Sequence, residues 1–149
     1  MQVRPIRVYV ASTLSNYVRV REIMSVLSNN DIIITYDWTG HAKILRDYLD
    51  QGDLSYSTSA CDKVPKPDPS IAEGELNGVI TSDVLLVVQP AGRGTYCEFG
   101  AALALKKPIV VLGTHADIDG DSRPVSFHHL PCVRYTTDVQ EAIRLIKSF

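Results

Sequence analysis

The residues best suited to chemistry lie in one short stretch. Pro90-Ala91-Gly92-Arg93-Gly94-Thr95-Tyr96-Cys97-Glu98 brings two glycines, an arginine and a glutamate together. Gly92 and Gly94 let backbone N–H groups approach a bound group closely. With a helix starting at Thr95, Glu98 lies in its first turn. The helix dipole there favours an ionised side chain, the state a carboxylate nucleophile requires. The same glutamate would also serve as an ordinary helix cap. Arg93 could pair with a phosphate beside the backbone donors of the turn, or stand solvated in the loop. Tyr9, near the end of a β-rich run, could turn its hydroxyl into a cleft to hold a carboxylate, or be a core aromatic. Trp38 offers stacking on a base or a structural role.

Other signals fail on spacing. Asp117-Ile118-Asp119-Gly120-Asp121 begins like a calcium loop, but the sixth position is Ser122 and the twelfth is His128. His128-His129 has no third metal ligand at useful spacing and reads as ordinary loop. Gly92-x-Gly94 lacks the third glycine of a dinucleotide fingerprint, and no Walker lysine accompanies it. No metal and no cofactor is therefore expected. Cys61, Cys97 and Cys132 form neither a disulfide framework nor a zinc pattern, and fit a reducing, cytoplasmic compartment.

The elements that must position these residues alternate between strand and helix. Ile6 to Val10 reads as a first strand. Val20, Ile23, Met24 and Leu27 form a helical stripe. Ile32 to Tyr36 reads as a second strand, and its continuous apolar character suggests a covered parallel sheet. Ala42 to Leu49 could be a short helix. The segment from Gln51 to Ser70 reads as a long polar loop, suited to a lid over a site. Ala72, Leu76, Val79 and Ile80 form another stripe, followed by a strand from Val84 to Gln89. A small-residue helix leads to a strand from Pro108 to Leu112. An irregular loop from His115 to His129, an edge strand from Cys132 to Tyr135, and a helix with Val139, Ala142, Ile143 and Ile146 on one face complete the chain.

Five strands alternating with helices predict an α/β fold: a three-layer, doubly wound, flavodoxin-like or Rossmann-like parallel sheet of order 2-1-3-4-5, in one domain spanning residues 1–149. Ligands in such folds sit beyond the carboxyl ends of the strands. That rule gathers Tyr9 and Ser12, Asp37, the Gly92-Arg93-Gly94 turn with Glu98, and Gly113 to His115. Ser12, Asp37, Gly92, Arg93 and Gly94 are the substrate-binding candidates.

Composition narrows the class. The 149 residues carry a net charge of −2, which speaks against a nucleic-acid polymer as partner. The densest apolar run, Val84 to Val88, is far too short to span a membrane. The N-terminus lacks the apolar core of a signal peptide.

The residues in Val8-Tyr9-Val10-Ala11-Ser12, and those from Ser82-Asp83-Val84 through Glu98-Phe99-Gly100-Ala101-Ala102 to Lys107-Pro108, resemble the nucleoside 2-deoxyribosyltransferase family. The resemblance implies that Glu98 attacks the anomeric carbon and carries the sugar covalently, and that Tyr9 orients it. It implies an assisting acid at Glu75, where the family usually has aspartate. It also implies a small-molecule nucleoside or nucleotide substrate and a homo-oligomer whose subunits complete each other's sites. The Pro90–Glu98 stretch is also similar to the Pro-Gly-Gly-x-Gly-Thr-x-x-Glu motif of the cytokinin-activating phosphoribohydrolases, with Ala91 in place of one glycine. Both families break a base–sugar bond. The leading expectation is transfer of a deoxyribosyl group between bases; the alternatives are hydrolysis of nucleoside 5′-monophosphates and a non-catalytic nucleotide-binding module.

Overall fold

The computed structural model describes residues 4–42, 68–114 and 125–149. Its strands are β1 (Arg7–Ala11), β2 (Ile33–Ile34), β3 (Val84–Val88), β4 (Ile109–Leu112) and β5 (Val133–Thr136). The helices are α1 (Tyr17–Ser28), α2 (Pro69–Thr81), α3 (Arg93–Ala104) and α4 (Val139–Ile146). All strand pairings are parallel, in the order β2-β1-β3-β4-β5, which is the α/β topology the alternation predicts. No helix among the described residues is long and apolar enough to cross a membrane.

The apolar run Val84 to Val88 becomes the central strand, and every residue in it is buried. Continuous hydrophobicity is what a strand covered on both faces requires. Register then decides which side chains share a face. Tyr9, Leu85, Ile109 and Val133 are paired across the sheet and point one way. Val10, Leu86, Val110 and Arg134 point the other way, and Leu112 and Thr136 follow them two residues on. Right-handed crossovers place α1 on one face and α2 with α3 on the other, because the chain reverses direction across the sheet between β2 and β3. The Arg134 guanidinium lies over the Phe149 ring at 4.5 Å, so the end of α4 covers the face opposite Tyr9.

The second strand is shorter than the five residues the sequence suggests. The ladder ends where the Thr35 N–H donates to the Val8 carbonyl at 3.0 Å, and the Thr35 hydroxyl turns to the Gly78 carbonyl at 2.8 Å. As an edge strand, β2 leaves Ile33 exposed instead of covering both of its faces. The stripe expected on α2 is rotated by about one residue. Ala72, Leu76 and Ile80 face solvent, while Gly78 and Val79 are buried and Ile71, Gly74 and Glu75 are half-buried. The cause is beneath the helix. A Cβ on Gly74 would lie 2.8 Å from the Tyr36 ring, and one on Gly78 would lie 2.7 Å from the Tyr9 ring. The two glycines let α2 settle onto these rings, which a row of leucines would hold away.

One boundary also moves. Asp68 accepts the Ser70 N–H and Pro69 takes the first helical position, so Pro69 and Ser70 belong to α2 and not to the loop. The rest of the expected loop, the expected helix beyond Ala42, and residues 115–124 lie outside the described residues. His128 is not ordinary loop: it is buried, 5.8 Å from the Tyr96 ring and edge-on to Phe99 at 5.2 Å.

Candidate active site

Helix α3 begins at Arg93, two residues before the expected Thr95. Gly92 is its N-cap, and the Thr95 hydroxyl reaches back to accept the Gly92 N–H at 3.0 Å. The early start moves Glu98 from the first turn into the second, where the helix dipole has largely faded. The dipole therefore does not set its ionisation. From this start, Thr95, Glu98, Phe99 and Ala102 form the buried stripe of α3. Glu98 is carried into the interior by helical periodicity, on the face that meets the sheet.

There it meets Tyr9. The Tyr9 hydroxyl donates to Glu98 Oε1 at 2.5 Å, the short end of the range for a hydroxyl–carboxylate bond. Tyr9 is fully buried and Glu98 is 7% exposed. Tyr9 is therefore both a core aromatic and a carboxylate holder; the two readings of the sequence describe one residue. Burial pushes the Glu98 carboxyl up to about 7, the Tyr9 hydrogen bond pulls it back down, and the negative charge of Glu75 raises it further. This reverses the expectation of a dipole-stabilised carboxylate. Burial, then the charge of Glu98, holds the Tyr9 phenol far above its ordinary range, so it remains a donor.

Glu75 approaches from α2. It lies three residues before Gly78, on the side of the helix that faces the Tyr9 ring. Its own carboxyl is raised by burial, with the charge of His41 acting in the opposite direction. Tyr9, Glu98 and Glu75 thus form one electrostatic group, contributed by β1, α3 and α2.

The binding candidates distribute differently. Ser12 is tied to the α3 turn, its hydroxyl donating to the Pro90 carbonyl at 3.3 Å and accepting from Asn16 Nδ2 at 3.0 Å. The Thr13 N–H donates to the same carbonyl at 3.0 Å. Gly92 sits against Thr13, whose hydroxyl would be 3.2 Å from an added Cβ. Gly94 faces open space and Arg93 is exposed beside it. These residues converge on the start of α3. Asp37 does not join them in any hydrogen bond. Its carboxylate accepts the Thr39 N–H at 2.9 Å and the Thr39 hydroxyl at 2.6 Å, capping the helical residues 39–42. Trp38 takes the structural role: it is buried, and its indole N–H donates to the Val10 carbonyl at 2.7 Å. Reasoning from sequence missed Tyr36, His41 and the glycine pair of α2. The Gly74–Gly78 spacing within a helical pattern was the available signal for close approach of a neighbour.

Among the described residues no group of acidic, histidine and cysteine side chains is arranged to hold a metal ion. The donors at the site are a phenol and two carboxylic groups, which suit proton handling and attack at carbon. No family model matches the chain, and no curated protein matches it. Among solved structures it is similar to the Clostridium botulinum CMP N-glycosidase BcmB, with a TM-score of 0.49 and 15% identity over 96% of this chain and 99% of that one. A likeness that loose carries no argument about the reaction.

Proposed function

We propose that the chain cleaves the N-glycosidic bond of a nucleoside or nucleoside 5′-monophosphate through a covalent glutamyl–sugar intermediate. The observation that carries this reading is the buried Glu98 carboxyl held by the Tyr9 hydroxyl at 2.5 Å, with a second acid near it. A carboxylate beneath a sugar ring stabilises the oxocarbenium character that develops as the base departs. Glu98 forms the ester bond to C1′ as the C1′–N bond breaks, and the base leaves with the electron pair. The proton the base takes up comes from Glu75, whose burial favours the protonated acid. Water or a second base then attacks C1′, the ester breaks, and the anomeric configuration is retained overall.

Two features pull the substrate and the acceptor apart. Low exposure of Glu98 favours a base over water as acceptor, and so deoxyribosyl transfer. The open start of α3, with Arg93 and Gly94 exposed and the N–H groups of its first turn free of intrahelical partners, favours a 5′-phosphate. A single assay tests the reading: incubate the protein with deoxynucleosides and their monophosphates, with and without a labelled foreign base, and separate the products. Label entering nucleoside supports transfer, and free sugar or its 5-phosphate supports hydrolysis. Release of no base from any substrate would refute the proposal.

A further inference from the structure

A second phenol stands beside the Tyr9–Glu98 pair, and the reaction as drawn does not use it. Tyr36 is half-buried, and its side chain runs along the underside of α2. A Cβ on Gly78 would lie 2.8 Å from the Tyr36 Cβ, and one on Gly74 would lie 2.9 Å from the Tyr36 hydroxyl. The phenol therefore reaches from the level of Gly78 to that of Gly74, one turn nearer the carboxyl end of the sheet, where ligands sit in such folds. Glu75 is the next residue on that turn. After burial, Glu98 and Glu75, the Tyr36 phenol is a further influence that raises the Tyr9 hydroxyl, so the two tyrosines are neighbours at the site. Neither the Tyr36 hydroxyl nor the Glu75 carboxyl has a hydrogen-bond partner among the described residues. Gln89 Nε2 is the one fully buried side-chain polar atom among those residues that is left unpaired, so the Tyr36 and Glu75 groups are open to solvent.

Packing does not account for that hydroxyl. Phenylalanine would fill the same space beside Gly74 and Gly78, and a tyrosine hydroxyl drawn into a protein ordinarily finds a partner. The partner on offer is the molecule that Glu75 serves. A base that takes a proton at a ring nitrogen carries an exocyclic amino or oxo group on the same edge, as purines do with N7 beside N6 or O6. We propose that Tyr36 is a specificity-determining residue whose hydroxyl bonds this exocyclic group of the departing base. A phenol turns its O–H, donating to an oxo group or accepting from an amino group. The contact thus selects a substituted base edge without choosing between amino and oxo bases, whereas an ammonium in its place would reject the amino group. The inference rests on cleavage of a base–sugar bond at Glu98.

The test compares the full chain with Tyr36→Phe, which keeps the ring and its packing. The substrates are paired deoxynucleosides and their 5′-monophosphates: adenine and hypoxanthine against unsubstituted purine, and cytosine and uracil against 2-pyrimidinone. On whichever pair is cleaved, Tyr36→Phe should lower kcat/KM for the amino and oxo substrates alike by about three- to tenfold, the loss of one hydrogen bond, and chiefly through KM. The unsubstituted member should be unaffected. An equal loss on both members would make Tyr36 structural, and no loss on either would remove it from the site; each result overturns the proposal. Calorimetric binding of the same compounds to Glu98→Gln, with and without Tyr36→Phe, separates the contact from the reaction. Binding that depends on Tyr36, with no base released by the parent, keeps the contact and refutes the cleavage. Base release that ignores Tyr36 refutes the contact and keeps the cleavage, and absence of binding by every compound refutes both.

Discussion

The two faces of this sheet solve opposite electrostatic problems within a few residues of each other. On the α2–α3 face, a carboxyl is taken out of water and held by a phenol, and its affinity for a proton rises to about 7. On the α1–α4 face, Val10, Leu86 and Val110 are buried apolar packing, and Arg134 in the same row keeps its guanidinium exposed, 4.5 Å from the Phe149 ring. The first row buries an ionisable pair, and the second keeps its charge in water. The lesson is about parity: one step along a strand sends a side chain to the other face, so adjacent residues serve environments of opposite demand.

The sharpest way to break the comparison is at Glu98. Glu98→Gln keeps shape and removes the nucleophile, so turnover should fall by several orders of magnitude in a base-release assay. Near-normal turnover by pure variant would remove Glu98 from the chemistry. The same variant reports the cost of burial. Ionising Glu98 opposes folding, because its pKa rises from 4.5 to about 7 in the folded state. Wild type should lose stability as pH rises from about 4.5 through 7, and the glutamine variant should not. Thermal melts should show a gap that is small at low pH and levels off above 7, at no more than about 3 kcal/mol.

Tyr9→Phe should come next, lowering turnover by about 10²-fold through loss of the hydroxyl that positions Glu98. The ring, which carries the packing, remains. An unfolded variant whose activity per folded molecule is unchanged would make Tyr9 structural only.

Gly78→Ala tests whether close approach of α2 builds the site. The new methyl would meet the Tyr9 ring at 2.7 Å. Overpacking of this kind costs about 1–3 kcal/mol, measurable by denaturant unfolding. Gly94→Ala, which meets nothing within 4 Å, is the matched comparison and should leave packing undisturbed.

The smallest effect concerns pH. Because the nucleophile must be ionised, kcat/KM should rise with pH through about 7, with Tyr9 and Glu75 the ionisable groups that act on Glu98. Glu75→Gln removes the proton donor, lowering the height of the profile, and removes the charge that Glu75 puts on Glu98 once it has lost its own proton, so the midpoint of that rise should move to lower pH. The position of the profile, read apart from its height, distinguishes this from a general loss of activity. An unmoved midpoint would uncouple the two carboxyls.

Much of this protein could be read before folding. Periodicity alone determined the alternation of strands and helices, because continuous apolar runs such as Val84 to Val88 can only be satisfied by cover on both faces. Handedness then determined the strand order. Residue types also singled out Tyr9 and Glu98, since an acid beside a glycine turn and a phenol near a strand end are what such chemistry needs, and the family resemblance added Glu75. Tertiary structure decided the rest. Where α3 starts depends on a local bond between Thr95 and Gly92, and that start sends Glu98 into the interior. Whether Glu98 is ionised depends on desolvation, which no linear pattern encodes. Which face of α2 is buried depends on the rings of Tyr9 and Tyr36, residues distant in the chain that only the parallel sheet brings beneath Gly78 and Gly74. The place of Asp37 was also decided locally: its Oδ1 accepts from the backbone and hydroxyl of Thr39, a short-range pairing that strand order alone does not reveal.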